Sequence, residues 1–76
     1  MSAPFPQHIF DITPDDNAEI PQTQFIMVSA AGDVAVETPT GDVNTLPACQ
    51  PGVQYAIVAV KVLATGTSAA GIKGLS

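Results

Sequence analysis

Short apolar runs, broken at close intervals by proline and glycine, set the rhythm of this chain. In residues 33–38, Val34 and Val36 alternate with Asp33, Ala35 and Glu37. Period-two alternation over so few residues is the mark of a strand with one covered face. Runs rich in Val, Ile, Thr and Phe predict further strands at 8–12, 24–29, 43–46 and 71–75. The longest run is 53–64, with Tyr55, Ile57, Ala59 and Leu63 on one face and Ala56, Val58, Val60 and Val62 on the other. Because both faces are apolar, it predicts a long central strand, covered on one side by its own core and on the other by a second subunit. Hardly any interval between the prolines and glycines is long enough for an ordinary helix.

The breakers also predict the connections. Ala31-Gly32-Asp33 reads as the turn of a hairpin joining 24–29 to 33–38, with one side wet. Pro39-Thr40-Gly41-Asp42 is a strong turn signal, because proline presets the second turn position and glycine accepts positive φ. Residues 47–52 read as a loop, and 65–70 as a hairpin loop whose Ser and Thr hydroxyls satisfy turn backbone groups. Thr13-Pro14-Asp15-Asp16 ends the first strand and leaves room for at most one helical turn before Pro21. Pro4 and Pro6 favour extended geometry in residues 1–7, an N-terminal arm suited to docking on a neighbour, while residues 8–76 form a single β domain. The expected fold is all-β: a small antiparallel β-sandwich or barrel-like domain of about six short strands, preceded by that arm.

Composition changes this picture by adding a need for partners. The 76 residues are 46% hydrophobic and only 12% charged, with a mean hydropathy of +0.31. An average soluble domain is roughly 25% charged, and a chain this short buries only about 60% of the surface its unfolded form exposes. Apolar surface therefore remains outside, where large patches mark interfaces. The single cysteine, Cys49, excludes an internal disulfide, which leaves oligomerisation as the remaining stabiliser for a small core.

Charge removes whole classes of function. Two lysines, Lys61 and Lys73, stand against seven carboxylates, for a net charge of −5. No basic patch can form, so neither nucleic acid nor an anionic membrane surface is an expected partner. Residues 1–10 lack the basic and apolar regions of a signal peptide, and the apolar run 55–60 is too short to span a bilayer, so cytoplasmic synthesis is expected.

Candidate chemistry is sparse. His8 and Cys49 are too few to complete a four-ligand zinc site. As a nucleophile, Cys49 would need His8 as an oriented base, and nothing near it in sequence supplies one, so it reads as a small inert hydrophobe. Asp15, Asp16, Asn17 and Glu19 gather oxygen ligands, yet an EF-hand counted from Asp15 would have Ile20 and Ile26 where it requires Gly and Glu. Gly66 and Gly71 flank Ser and Thr without the lysine of a phosphate-binding loop. No catalytic residue, metal site or cofactor is expected.

Three segments, in order and at matching spacing, carry a family resemblance: Ile12-Thr13-Pro14-Asp15-Asp16 leading to Ile20-Pro21, then Ala30-Ala31-Gly32-Asp33-Val34-Ala35-Val36, then Val60-Lys61-Val62-Leu63-Ala64-Thr65-Gly66-Thr67-Ser68-Ala69-Ala70-Gly71-Ile72. Over roughly residues 10–75 the chain resembles the small head-spike base proteins of gene transfer agents and related tailed phages. The resemblance implies a non-enzymatic virion structural protein on the capsid exterior. Such a protein acts as a spike base or as a decoration (cement) protein, a homotrimer or homopentamer docked on the major capsid protein and in some cases carrying a spike fibre. Bulky apolar residues dominate interface cores, which singles out Phe5, Phe10, Phe25, Met27, Tyr55 and Ile57 as interface candidates. Two other readings compete: a glycan- or receptor-binding adhesin module stacking sugars on the aromatics, and a small enzyme built on Cys49 and His8.

Overall fold

The Val-, Ile- and Thr-rich runs do become strands in a computed structural model, which describes residues 7–76. Seven are present: β1 (Ile9–Asp11), β2 (Phe25–Met27), β3 (Gly32–Glu37), β4 (Val43–Cys49), β5 (Tyr55–Ala56), β6 (Lys61–Leu63) and β7 (Lys73–Leu75). They make two antiparallel sheets, one in the order β1-β7-β2-β5 and the other in the order β4-β3-β6. A single core cluster joins both sheets, with Ile26 and Val28 from the first side meeting Val34, Val36, Cys49 and Val62 from the second. This is the expected all-β class, a small sandwich of the kind in which inner-face side chains interdigitate. Among the described residues no helix is long and apolar enough to cross a membrane.

The long strand expected at 53–64 is instead two short ones in different sheets, and Thr23 explains the break. Ile57 N–H donates to Gln24 O at 3.2 Å, keeping that residue with the first sheet, whereas Val60 N–H donates to Glu37 O at 2.8 Å, already in the second. Between them the chain has left one ladder and not yet joined the other. The Thr23 hydroxyl fills the gap, donating to Ile57 O at 2.8 Å and accepting from Ala59 N–H at 3.1 Å, while Thr23 N–H donates to Ala59 O at 3.3 Å. Buried backbone groups need such partners, and Thr23, 1% exposed, is the one buried polar side chain among the described residues. The run is apolar on both faces because it serves two sheets, and neither half is a central strand: β5 and β6 each lie at a sheet edge.

The hairpin expected between 24–29 and 33–38 is also absent, because β2 and β3 belong to different sheets. Both sides of β2 are occupied, by β5 and β7, so the chain crosses over after Val28. The crossing is tight: a Cβ on Gly32 would lie 2.5 Å from Ala69 N and 2.8 Å from Ala69 Cα, so only glycine fits there. Nor is one side of β3 wet, since Val34, Ala35 and Val36 are all buried. The segment 65–70 covers that outer side. It is a sheet-to-sheet connection rather than a hairpin loop, and its hydroxyls satisfy backbone groups as expected: Thr67 Oγ1 accepts from Ala35 N–H at 2.9 Å and donates to Leu63 O at 2.6 Å, and Ser68 Oγ accepts from Asp33 N–H at 2.9 Å.

Strand β4 outruns its expected end at Leu46 and includes Pro47, Ala48 and Cys49, residues that the sequence suggests are loop. Proline is tolerated because β4 is an edge strand with no outer partner to bond among the described residues. The pairing shifts register between Gly32 and Val34, where Ala48 takes a φ of 50° and its N–H donates to Asp33 Oδ1 at 2.8 Å. That irregularity turns Cys49 into the core.

Candidate docking surface

Strand register assigns every side chain of the four-stranded sheet to a face. Phe10, Gly74, Ile26 and Tyr55 lie side by side across β1, β7, β2 and β5. Ile26 is fully buried, and Phe10 and Tyr55 pack against the core, so this row faces inward. Gly74 lets the Phe10 ring lie flat over β7: a Cβ placed there would lie 2.6 Å from Phe10 Cε2 and Cζ and would push the ring aside. The next row, Ile9, Leu75, Phe25 and Ala56, must then point outward, as must Asp11, Lys73 and Met27 one step along the strands.

That outward face is apolar at its centre. Ile9 is 72% exposed, more than any other large hydrophobic residue described. Beside it, Leu75, Met27 and Pro51 line an open apolar cavity of about 410 Å³ that reaches Gly71 and Ser29 at its far end. Gly52 N–H donates to Val28 O at 3.4 Å, which sets the Pro51–Gly52 turn as one wall. The rim carries one charged pair, Lys73 Nζ with Asp11 Oδ1, joining adjacent strands. Their opposite charges cancel, and the cavity presents no net charge of its own to a ligand.

The six interface candidates divide accordingly. Phe10, Tyr55 and Ile57 pack against the subunit's own core, and the Tyr55 hydroxyl accepts a hydrogen bond from Gln50 N–H at 2.6 Å. Phe25 and Met27 are half-buried on the outward face. Phe5 and the rest of residues 1–6 lie outside the described residues. Ile9, the most exposed large hydrophobic residue described, is not among the six, although it sits two residues from Asp11, a charge that marks the outer face.

The chemistry-bearing residues do not assemble. His8 is exposed at the start of β1, whereas Cys49 is buried at the end of β4 in the other sheet, with its thiol directed to Leu46 O at 3.6 Å. Burial raises the Cys49 pKa, and the negative charge of Asp33 adds to the effect, opposite to the shift an activated thiolate needs. Asp15 Oδ1 accepts Asn17 N–H at 2.8 Å in a local turn. Asp16 receives Thr65 N–H at 2.9 Å and Thr65 Oγ1 at 2.7 Å, and these bonds lower its pKa. Among the described residues no three His, Cys, Asp or Glu side chains converge on a metal position. Nor do the aromatics among the described residues form a stacking platform, since Phe10 and Tyr55 turn inward, away from Phe25.

No family model matches the chain, and no curated protein does. Among solved structures, a chain from one described as "Capsid of native GTA particle computed with C5 symmetry" is similar at 26% sequence identity and a TM-score of 0.83. The likeness covers 93% of this chain and 83% of that one. By fold and by sequence, then, the protein is similar to a chain of a gene transfer agent capsid particle, a likeness that supports a capsid-related class of virion structural protein.

Proposed function

We propose that the protein is a non-enzymatic component of the capsid exterior, a head-spike base or decoration protein that forms a homo-oligomer and docks on the major capsid protein. The observation that carries this reading is the likeness to the gene transfer agent capsid chain over 93% of the sequence. The outward apolar face supports it, because a small domain with Ile9 72% exposed gains stability by covering that surface. Closure into a ring also protects strand edges such as that of β4, whose outer backbone groups have no neighbouring strand.

Two measurements test the proposal. Mass spectrometry and immunogold labelling of purified particles should find the protein on intact, filled capsids, accessible to antibody without disruption. Light scattering after size exclusion should give a closed oligomer: a trimer favours decoration at threefold positions, and a pentamer favours a spike base at a vertex. Absence from purified particles overturns the proposal, and labelling only after capsids are broken overturns the exterior placement.

A further inference from the structure

The cavity on the outer sheet face is open and apolar, and the chain carries an apolar segment just outside the described residues. Residues 1–6, Met1-Ser2-Ala3-Pro4-Phe5-Pro6, are apolar apart from one serine and bear no charged side chain. The segment joins the fold at Gln7, whose N–H donates to Ser76 O at 2.7 Å, next to the Leu75 end of the cavity. We propose that this cavity receives residues 1–6 of a second copy of the chain, with Phe5 seated among Ile9, Met27 and Leu75. The inference rests on the homo-oligomeric reading above and deepens it.

Chain direction favours a neighbour's segment over the subunit's own. Followed backwards from Asp11, β1 runs toward the carboxyl end of β7, and the bonds of Gln7 N–H and His8 N–H to Ser76 O hold it on that course. The cavity extends the opposite way, past Lys73 to Gly71, Ser29 and Pro51. A subunit filling its own cavity would have to reverse direction at Gln7 or Pro6. As a sequence, residues 1–6 resist such a reversal, because proline at 4 and 6 disfavours a compact turn at the residues before it. Six residues in polyproline-like geometry reach at most roughly 19 Å. The cavity, at about 410 Å³, falls within the roughly 300–1,000 Å³ of pockets that enclose small ligands, and its apolar lining suits a neutral Phe-Pro segment better than a charged partner.

The test places a photo-crosslinker in the segment. Full-length protein with Phe5→p-benzoylphenylalanine is prepared in light and heavy isotopic forms, mixed under exchange conditions, irradiated and digested, and its mass before irradiation is measured by light scattering. The expected result is a denatured band at twice the chain mass, with heavy–light peptide pairs joining position 5 to the peptides holding Ile9, Met27 or Leu75. Met27→Glu, which leaves the inner face untouched, should cut that cross-link about tenfold while circular dichroism stays unchanged. An oligomer whose cross-links are all within one chain assigns the cavity to the subunit's own segment and overturns this inference alone, as do cross-links that avoid the cavity. A monomer without cross-links overturns the homo-oligomeric reading along with it.

Discussion

Thr23 is the residue on which the crossing between the two sheets depends, and replacing it by valine tests that role with little change in shape. Valine keeps the branched outline and removes the hydroxyl. Ala59 N–H, fully buried, then loses its acceptor, and Ile57 O, only partly buried, loses its donor. A buried donor left without a partner costs about 1–3 kcal/mol, and a carbonyl that water can reach sits at the lower end of that range. Thr23→Val should therefore destabilise the protein by about 2–4 kcal/mol. For a domain of this size that corresponds to a fall in Tm of roughly 10–25 °C. Thr23→Ser keeps the hydroxyl and gives up one methyl group, at about 1 kcal/mol. Urea titrations followed by far-UV circular dichroism, run at one fixed protein concentration so that self-association cannot bias the comparison, should rank wild type above Thr23→Ser and Thr23→Val last. A valine variant within about 0.5 kcal/mol of wild type, or a serine variant less stable than the valine one, would refute the account of the crossing.

Gly32→Ala forces a Cβ to within 2.5 Å of Ala69 N, where only backbone can give way, so a loss of about 3 kcal/mol or more is expected in the same titrations. The Asp16 carboxylate has a folded-state pKa below its ordinary value of 3.8, so its contribution is present above the unfolded pKa and lost as pH falls through the lowered one. Asp16→Asn should accordingly flatten the fall in Tm below about pH 4 and leave the neutral-pH fold intact, as thermal scans in a pH series would show. The buried, raised-pKa Cys49 should react with a neutral-pH thiol reagent at least about tenfold more slowly than a free cysteine and at the ordinary rate in denaturant; fast labelling of the folded protein would revive a catalytic role.

The sequence was informative about which residues form strands and poor about which strands pair. Alternation located β3 and most of β1, β2 and β7, because a residue's preference for a pleated, half-buried position is local. Pairing is not local. Tyr55 to Leu63 looks like one strand because every residue in it but Lys61 is apolar enough to be covered, but coverage comes from two sheets, and the switch is made by a threonine more than thirty residues upstream. Likewise the turn-like Ala31-Gly32-Asp33 gave no sign that β2 already had two neighbours. What does betray the crossing is Gly32, present because Ala69 passes too close for a side chain.

The docking face was half-legible for a related reason. Composition required an apolar surface but assigned it to no position. Choosing interface residues by size selected Phe10, Tyr55 and Ile57, which the subunit uses itself, because a core this small recruits its bulkiest side chains first. Side-chain direction followed the pleat instead: with Phe10, Gly74 and Ile26 turned inward, Ile9, Phe25 and Met27 turned outward with Leu75, which its neighbours leave only 8% exposed. On the four-stranded sheet, strand geometry therefore sets which residues are left for a partner. Ile9 contributes little to its own subunit at 72% exposure, whereas fully burying an isoleucine is worth roughly 1.5–3 kcal/mol. The chain retains such a residue beside an apolar cavity although a lone domain would be more soluble without it, which supports the proposal that the folding unit is one chain and the working unit several.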